Sequence, residues 1–282
     1  MACRYTVFVF CFFGVGLETV QLLILALVQG VTEFLPVSSS AHLILPSVLF
    51  GWRDQGLAFD ACVHLASLLA VVCYFRGDLA RLLAAGWGRV VQGQASADSR
   101  LLGALLIASL PIIPVGFFGR FLIEAELRTG LVIATATILF ALALLLADAF
   151  GRRQLGSADL GWGKALLIGC AQCLALIPGT SRAGIAITGA LLVGFTREAA
   201  VRISFLLAIP AISGAAAIKL WDLALAEQSQ IAVMDLLAPF AVAGVSAYLC
   251  IWLFIGFIER IGFVPFVIYR LLLGGYLLWL LA

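Results

Sequence analysis

Charged residues are scarce in this 282-residue sequence: they make up 11% of the chain, whereas 64% of its residues are apolar. A soluble domain carries about 25% charged residues, so a water-soluble fold is excluded. The formal net charge of +2 indicates no nucleic-acid-binding surface. The apolar runs are too long and unbroken for β-barrel strands. The sequence therefore predicts an all-α polytopic membrane protein.

Paired cysteine motifs are also lacking. The seven cysteines lie scattered in apolar runs, where cysteine behaves as a small hydrophobe. The CxxC of Cys170 and Cys173 has no second pair, so we expect neither a zinc site nor a redox role. Residues 1–16 contain an apolar run but no signal-peptide cleavage site, and we expect a retained extension or a misassigned start.

The polar residues that are present concentrate in two stretches inside apolar sequence. Residues 29–42 read Gln-Gly-Val-Thr-Glu-Phe-Leu-Pro-Val-Ser-Ser-Ser-Ala-His, and residues 178–184 read Pro-Gly-Thr-Ser-Arg-Ala-Gly. A charged side chain at such depth costs about 2.5–3.5 kcal/mol on insertion scales, so it usually faces a wet cavity or a partner. We interpret the two stretches as halves of one intramembrane site for an anionic group.

Proline divides both stretches into short helices. Pro36 ends a helical pattern that begins near Glu18, and a second helix runs from about Ser38 to Phe50. Because each half is shorter than the roughly 20 residues of a membrane span, we predict a re-entrant helical hairpin. Residues 162–177 and 183–194 repeat this pattern around Pro178-Gly179.

Six longer apolar segments predict six transmembrane helices in a single membrane domain covering residues 1–282. They lie at residues 59–75, 101–118 (kinked by Pro111 and Pro114), 131–150, 203–220, 236–258 and 263–281. The halves, about 17–150 and 160–282, align at an offset of 142, the difference between 178 and 36. A hairpin does not cross the membrane, so each half crosses it three times. Because three is odd, the second half is inverted relative to the first, and we predict an inverted-topology repeat with its site at the midplane.

Basic residues predict the orientation of these spans. Ten fall on one side and five on the other: Arg76, Arg81, Arg89, Arg100, Arg152, Arg153, Lys164, Arg197, Arg202 and Arg260, against Arg4, Arg53, Arg120, Arg128 and Lys219. The richer side is expected in the cytoplasm. The first hairpin then enters from outside and the second from the cytoplasm, and their tips meet inside the membrane.

Glu33 and Gln29 share a helical face because they are four residues apart. Glu33 is a candidate metal ligand, with Gln29 as a neutral oxygen ligand for a divalent cation. Two alternatives stay open: Glu33 as a base, and Glu33 as a structural partner of an arginine. Arg182 is a candidate for binding phosphate oxygens, and its alternative is an ion pair with Glu33.

Hydroxyls at two helix starts are candidate anion ligands. Ser38, Ser39 and Ser40 follow Pro36, and one or two of them serve equally well as N-caps. His42 reaches Ser38 or Ser39 along one helical face and is a candidate for proton transfer. The second anion site comprises Gly179, Thr180 and Ser181. His64 reads as structural, and Arg270 either braces the site or pairs elsewhere. Together these groups describe phosphoryl transfer to or from a lipid-tailed phosphate.

These two motifs at this separation resemble the undecaprenyl-diphosphate phosphatase family of bacteria, the bacitracin-resistance type. The similarity runs from about Gln21 to the C-terminus. It implies an inner-membrane, multi-pass enzyme that removes the terminal phosphate of undecaprenyl diphosphate and recycles the cell-wall lipid carrier. It also implies a Mg²⁺ or Ca²⁺ cofactor and a site open to the periplasm. The oligomeric state is left open, a homodimer included.

Four positions depart from the family pattern. Gln29 replaces the commoner Glu, which leaves one fewer charge for a metal, and Ala183 stands where Ser is usual. Ala41 replaces a usual Gly, and His64 stands where glutamine is common. None of these changes removes a core catalytic group.

Our mechanistic hypothesis has Ser39 attack the terminal phosphorus, with His42 as general base and later acid. Arg182 and the backbone N–H groups near Thr180 and Ser181 hold the phosphates, while Glu33 with Gln29 positions the cation or assists proton transfer. Attack by His42 or directly by water remains an alternative. A lipid-carrier transporter and an intramembrane serine protease are the alternative functions.

Overall fold

The computed structural model describes residues 17–52, 55–127, 129–225 and 233–281. The predicted N-terminal extension lies outside these ranges, as do Arg4, Arg53 and Arg128. Twelve α-helices cover most of the described residues, and no β-strand occurs among them. The helices are α1 Leu17–Phe34, α2 Ser39–Phe50, α3 Gly56–Tyr74, α4 Arg76–Gln92, α5 Ala97–Ser109, α6 Ile112–Leu122, α7 Gly130–Phe150, α8 Trp162–Cys173, α9 Arg182–Leu192, α10 Arg197–Leu225, α11 Val233–Ile261 and α12 Val264–Leu281.

Six helical segments are long and apolar enough to cross a membrane, as the sequence predicts. They are Gly56–Tyr74, Ala97–Gly119, Gly130–Phe150, Arg197–Leu225, Met234–Ile261 and Val264–Leu281. The second combines α5 and α6, which are separated at Leu110 and Pro111, because proline cannot donate the backbone hydrogen bond that would continue the helix. The predicted six candidate spans and the break in the second of them at Pro111 are therefore confirmed, whereas Pro114 lies inside α6.

The short helices pack in pairs around the two polar stretches. Helix α1 packs against α2, and α8, extended by the 3₁₀ turn Leu174–Leu176, packs against α9. The sequence alignment pairs Pro36 with Pro178, an offset of 142, but the outgoing helices begin at Ser39 and Arg182, which are 143 apart. We call residues 35–38 the first tip and residues 177–181 the second tip. The second tip has one more residue between its proline and the following helix, and an alignment of the two prolines alone does not reveal this difference.

The long helices enclose these pairs. Helix α11 packs against α1 and α3, α12 against α7, and α10 against α3 and α9. The contact of α1 with α11 is close because Gly30 has no side chain: a Cβ there would lie 2.4 Å from the carbonyl oxygen of Ala243. A buried cluster that includes Phe34, Phe205 and Phe254 packs α1, α10 and α11 against one another.

Candidate active site

The two tips touch each other through residues far apart in sequence. Ser181 donates a hydrogen bond to the carbonyl of Leu35 at 3.5 Å, and Arg182 donates to the Glu33 carboxylate at 3.1 Å. Gly179 packs against α7 so closely that a Cβ would lie 2.4 Å from the carbonyl of Ile133. The structure therefore brings both predicted stretches into one site.

Each tip carries a serine in the left-handed backbone region. Ser38 has φ of 72° and Ser181 has φ of 71°, and each directly precedes its outgoing helix. Residues other than glycine are uncommon in this region, and such strain clusters at functional sites. Ser181 also caps its helix, because its Oγ accepts from the Gly184 N–H at 3.1 Å. The sequence suggests an N-cap role only for Ser38, Ser39 and Ser40, so the cap formed by Ser181 is a finding of the structure.

Glu33 is the centre of the polar network. Its carboxylate accepts hydrogen bonds from Gln29 Nε2 at 2.9 Å, from Ser39 Oγ at 2.8 Å and from Arg182 Nη2 at 3.1 Å. The shared helical face predicted for Gln29 and Glu33 is confirmed, as is the predicted ion pair of Glu33 with Arg182. A hydroxyl that donates to a carboxylate has its proton acceptor already in place.

Several polar atoms around this network are buried and have no hydrogen-bond partner among the described residues. They are Nε and Nη1 of Arg182, Oγ1 of Thr180 and Oε1 of Gln29. An unpaired buried donor costs about 1–3 kcal/mol, and more when it is charged. Arg182 therefore uses one nitrogen for Glu33 and keeps two donors for another acceptor, which suits an anion with several oxygens.

A cavity of about 490 Å³ opens beside these groups. One part of its wall is polar and includes Glu33, Ser39, Ser181 and Arg182, together with Ser38 and Ser40. The rest is largely apolar and comes from α6, α10 and the Leu174–Leu176 turn; it comprises Ile112, Ile113, Gly116, Phe117, Ala175, Leu176, Pro210, Ala211, Ile212, Gly214, Ala215 and Ile218. A ligand with a charged head and an apolar tail matches both parts.

His42 lies beside the tip but outside the lining of this cavity. Its Nδ1 donates to the carbonyl of Ser38 at 2.7 Å, so Nε2 of the neutral ring accepts from the Tyr269 hydroxyl at 2.5 Å. The two rings also stack, with centroids 5.5 Å apart. Both ring nitrogens of His42 thus already have partners. The Ser39 hydroxyl donates its hydrogen bond to Glu33 and not to His42.

Arg270 braces the two tips, one of the two roles the sequence leaves open for it. Its side chain is fully buried and donates to the carbonyls of Pro36 at 3.4 Å, Gly179 at 3.0 Å and Thr180 at 2.9 Å, as well as to Thr137 at 3.2 Å. The guanidinium of Arg270 therefore donates hydrogen bonds to both tips and links them. The local sequence gives no signal for this contact, since the partners are at least 90 residues away.

His64, which the sequence suggests is structural, is also part of the cavity wall. Its Nδ1 donates to the carbonyl of Asp60 at 2.6 Å, and the Asp60 carboxylate pairs with Lys219 at 2.7 Å. The mid-span position of this histidine on α3 gave no indication of the cavity, because the cavity forms only when α3 and α10 pack together.

The donor set suits a divalent cation only in part. Among the described residues no group of three or more His, Cys, Asp or Glu side chains forms a metal cluster. Glu33 supplies one carboxylate, and the unpaired Oε1 of Gln29 supplies one neutral oxygen. Mg²⁺ is commonly held by one or two carboxylates together with substrate phosphates. The residues therefore fit a cation that arrives with a phosphorylated ligand.

Comparison with known proteins assigns the chain to a family. Residues 22–276 match the family model described as "Bacitracin resistance protein BacA". A protein of Alcanivorax borkumensis named undecaprenyl-diphosphatase is 52% identical over 264 residues, which cover 93% of this chain and 98% of that protein. The family match includes both tips, the cavity wall and five of the six apolar spans in full, and it covers the sixth as far as residue 276. The chain belongs to the bacitracin resistance protein BacA family.

Proposed function

We propose that this chain is an integral-membrane phosphatase that hydrolyses undecaprenyl diphosphate to undecaprenyl phosphate and inorganic phosphate. The observation that carries the proposal is the pair of free donors on Arg182 beside the Ser39–Glu33 hydrogen bond, at the polar end of a cavity with an apolar wall. The name of the Alcanivorax relative agrees with this substrate. The product, undecaprenyl phosphate, is the lipid carrier for peptidoglycan and other cell-wall polymers. Recycling of this carrier confers resistance to bacitracin.

The pyrophosphate head binds where the two tips meet. Arg182 donates to phosphate oxygens through Nε and Nη1, and the Thr180 hydroxyl offers a further unpaired donor. Ser38, Ser40 and Ser181 complete the polar wall of the cavity, whereas Gly179 lies outside its lining and supports the substrate-binding turn from behind. The prenyl tail leaves along the apolar side of the cavity, where partly exposed residues of α6 give access to lipid.

Ser39 is the nucleophile. Its Oγ forms a bond to the terminal phosphorus as the bond between that phosphorus and the bridging oxygen breaks, and the serine proton passes to the Glu33 carboxylate 2.8 Å away. Undecaprenyl phosphate leaves, and water then hydrolyses the phosphoserine to release inorganic phosphate. Positioning and charge stabilisation by Arg182 supply most of the catalysis in such a reaction.

His42 positions the nucleophile indirectly, because it binds the backbone of Ser38, the residue before Ser39. It holds the Ser38 carbonyl at 2.7 Å and is itself held by Tyr269. To serve as the general base for Ser39, its ring must first leave Tyr269. Trapping the covalent intermediate identifies the nucleophile. Phosphoserine supports attack by Ser39, whereas phosphohistidine or the absence of any covalent species contradicts it.

A divalent cation, Mg²⁺ or Ca²⁺, would be held by Glu33 and Gln29 together with oxygens of the bound pyrophosphate. When bound, it would offset negative charge on the phosphoryl oxygens. The protein side of this arrangement is one carboxylate and one amide oxygen, so affinity for the cation without substrate is expected to be weak.

The membrane arrangement belongs to the same proposal. A single domain, residues 1–282, consists of two inverted halves, and α1–α2 and α8–α9 form re-entrant hairpins whose tips meet at the midplane. The matching left-handed serines, Ser38 and Ser181, support the repeat. The excess of basic residues on one side supports a cytoplasmic position for that side, and the family membership supports an inner-membrane site that is open to the periplasm. A reporter fused after Arg152 is expected to read cytoplasmic; an external reading overturns this topology.

A further inference from the structure

Helix α4, Arg76–Gln92, contributes nothing to the cavity and is not among the six apolar spans. It follows the spanning helix α3 after a single residue, Phe75, and is joined to the next spanning segment, which begins with α5, by residues 93–96. Its ends are therefore fixed to two membrane spans. Its 17 residues include three arginines and one aspartate, which is too polar for the hydrocarbon core.

The helix has a buried side and a separate exposed apolar side. Leu82 is buried, and Gly86 lies against α5, where a Cβ would be 2.6 Å from a methyl group of Leu102. A second stripe faces away from the protein: Leu83 is 63% exposed, Trp87 70%, Val90 82% and Val91 58%. The spacing of these four residues places them on one helical face. Because this face packs on none of the described residues, it is free to contact a surface outside them.

Arginines flank the apolar stripe. Arg76, Arg81 and Arg89 are all exposed, and Arg89 has no ion pair among the residues that the structure describes. The helix's one acidic residue, Asp78, is already paired with Arg202 of α10 at 2.6 Å and with Arg81 at 2.5 Å. The exposed surface of α4 is therefore apolar with a net positive border, which complements an anionic surface.

We propose that α4 is a lipid-binding element: Leu83, Trp87, Val90 and Val91 enter the interfacial layer of the bilayer, and Arg81 and Arg89 bind the phosphates of anionic phospholipids. Amphipathic helices with an apolar face and a basic polar face lie in this layer, and tryptophan is enriched there. Continuity with two spans favours lipid over a second copy of the chain. Four side chains are also a small surface compared with the roughly 800 Å² per partner of a standard protein interface.

The position of Trp87 tests the apolar part of the proposal. The full chain is reconstituted in phosphatidylcholine–phosphatidylglycerol nanodiscs, and the emission of Trp87 is obtained by subtracting the spectrum of Trp87→Phe from that of the wild type. We expect a spectrum that brominated phospholipids quench and aqueous iodide does not. Quenching by iodide alone overturns the proposal. Protection from both quenchers in nanodiscs that contain two copies also overturns it, in favour of a protein interface.

The arginines are tested by the lipids that stay bound to the protein in native mass spectrometry. Arg89→Gln is compared with Arg260→Gln, which removes the same charge from the exposed C-terminal end of α11. Because a basic residue near an anionic surface contributes about 1 kcal/mol, Arg89→Gln should lower the preference for phosphatidylglycerol over phosphatidylcholine by about fivefold. The control should lower the preference by a smaller factor, because Glu259 lies next to Arg260 and offsets its charge. An equal effect of both variants would mean that α4 has no specific role, and it would overturn the proposal.

Discussion

Replacement of Arg182 by lysine tests the phosphate-binding role of the guanidinium while keeping its positive charge. Arg182 uses Nη2 for Glu33 and leaves Nε and Nη1 unpaired in the cavity wall. A lysine ammonium is a single point of charge and cannot hold Glu33 and two phosphate oxygens in the same fork geometry. Two charge-assisted hydrogen bonds at about 1.5–3 kcal/mol each are lost, which corresponds to a decrease in kcat/KM of about 10²- to 10⁴-fold.

The measurement is phosphate release from undecaprenyl diphosphate by detergent-purified protein, with the thermal unfolding midpoint of each variant recorded in parallel. Arg197→Lys is the matched control: Arg197 holds Asp148 with two hydrogen bonds of 2.7 and 2.8 Å and lies outside the cavity. It should lower the unfolding midpoint and leave kcat/KM of the folded protein nearly unchanged. A folded Arg182→Lys variant with kcat/KM within a few-fold of wild type would show that Nε and Nη1 do not bind the substrate.

Three further substitutions and one treatment test other parts of the site. Glu33→Gln should lower kcat by about 10²- to 10⁴-fold and His42→Gln by less, because Ser39 donates to Glu33; steady-state kinetics showing the reverse order would make His42 the base. Gly179→Ala should lower the unfolding midpoint, since its φ is +94° and a Cβ would lie 2.4 Å from the Ile133 carbonyl oxygen; an unchanged midpoint would contradict the close approach of this tip to α7. Addition of a chelator should abolish phosphate release and excess Mg²⁺ should restore it, whereas full activity in chelator would exclude the cation role of Glu33 and Gln29.

The local pattern of the sequence predicted the elements of the fold well. Apolar runs located the six spans, and Pro36 and Pro178 located the breaks, because burial and the missing proline N–H act on neighbouring residues. Helix α4 was missed even though Leu83, Trp87 and Val90 recur at helical spacing. Its arginines lower the overall apolar content of the segment, and a search for membrane spans therefore does not detect it.

Contacts between distant residues account for what the sequence could not predict in the site. The ion pair of Glu33 and Arg182 followed from two unusual charges in apolar surroundings. By contrast, the hydrogen bond from Tyr269 to His42 joins residues 227 positions apart, and Tyr269 is not unusual in its own apolar segment. The same holds for Arg270, whose charge was evident but whose carbonyl partners depend on how the two tips meet. Such pairings arise from tertiary packing rather than local periodicity.

The most direct test of the central claim is a single-turnover experiment with undecaprenyl diphosphate labelled in its terminal phosphate. Wild-type protein and Ser39→Ala are compared at matched folded fractions by rapid quench. We expect label on Ser39 in the wild type, followed by release of inorganic phosphate, and neither event in Ser39→Ala. Release of phosphate by Ser39→Ala at a rate close to wild type would contradict it.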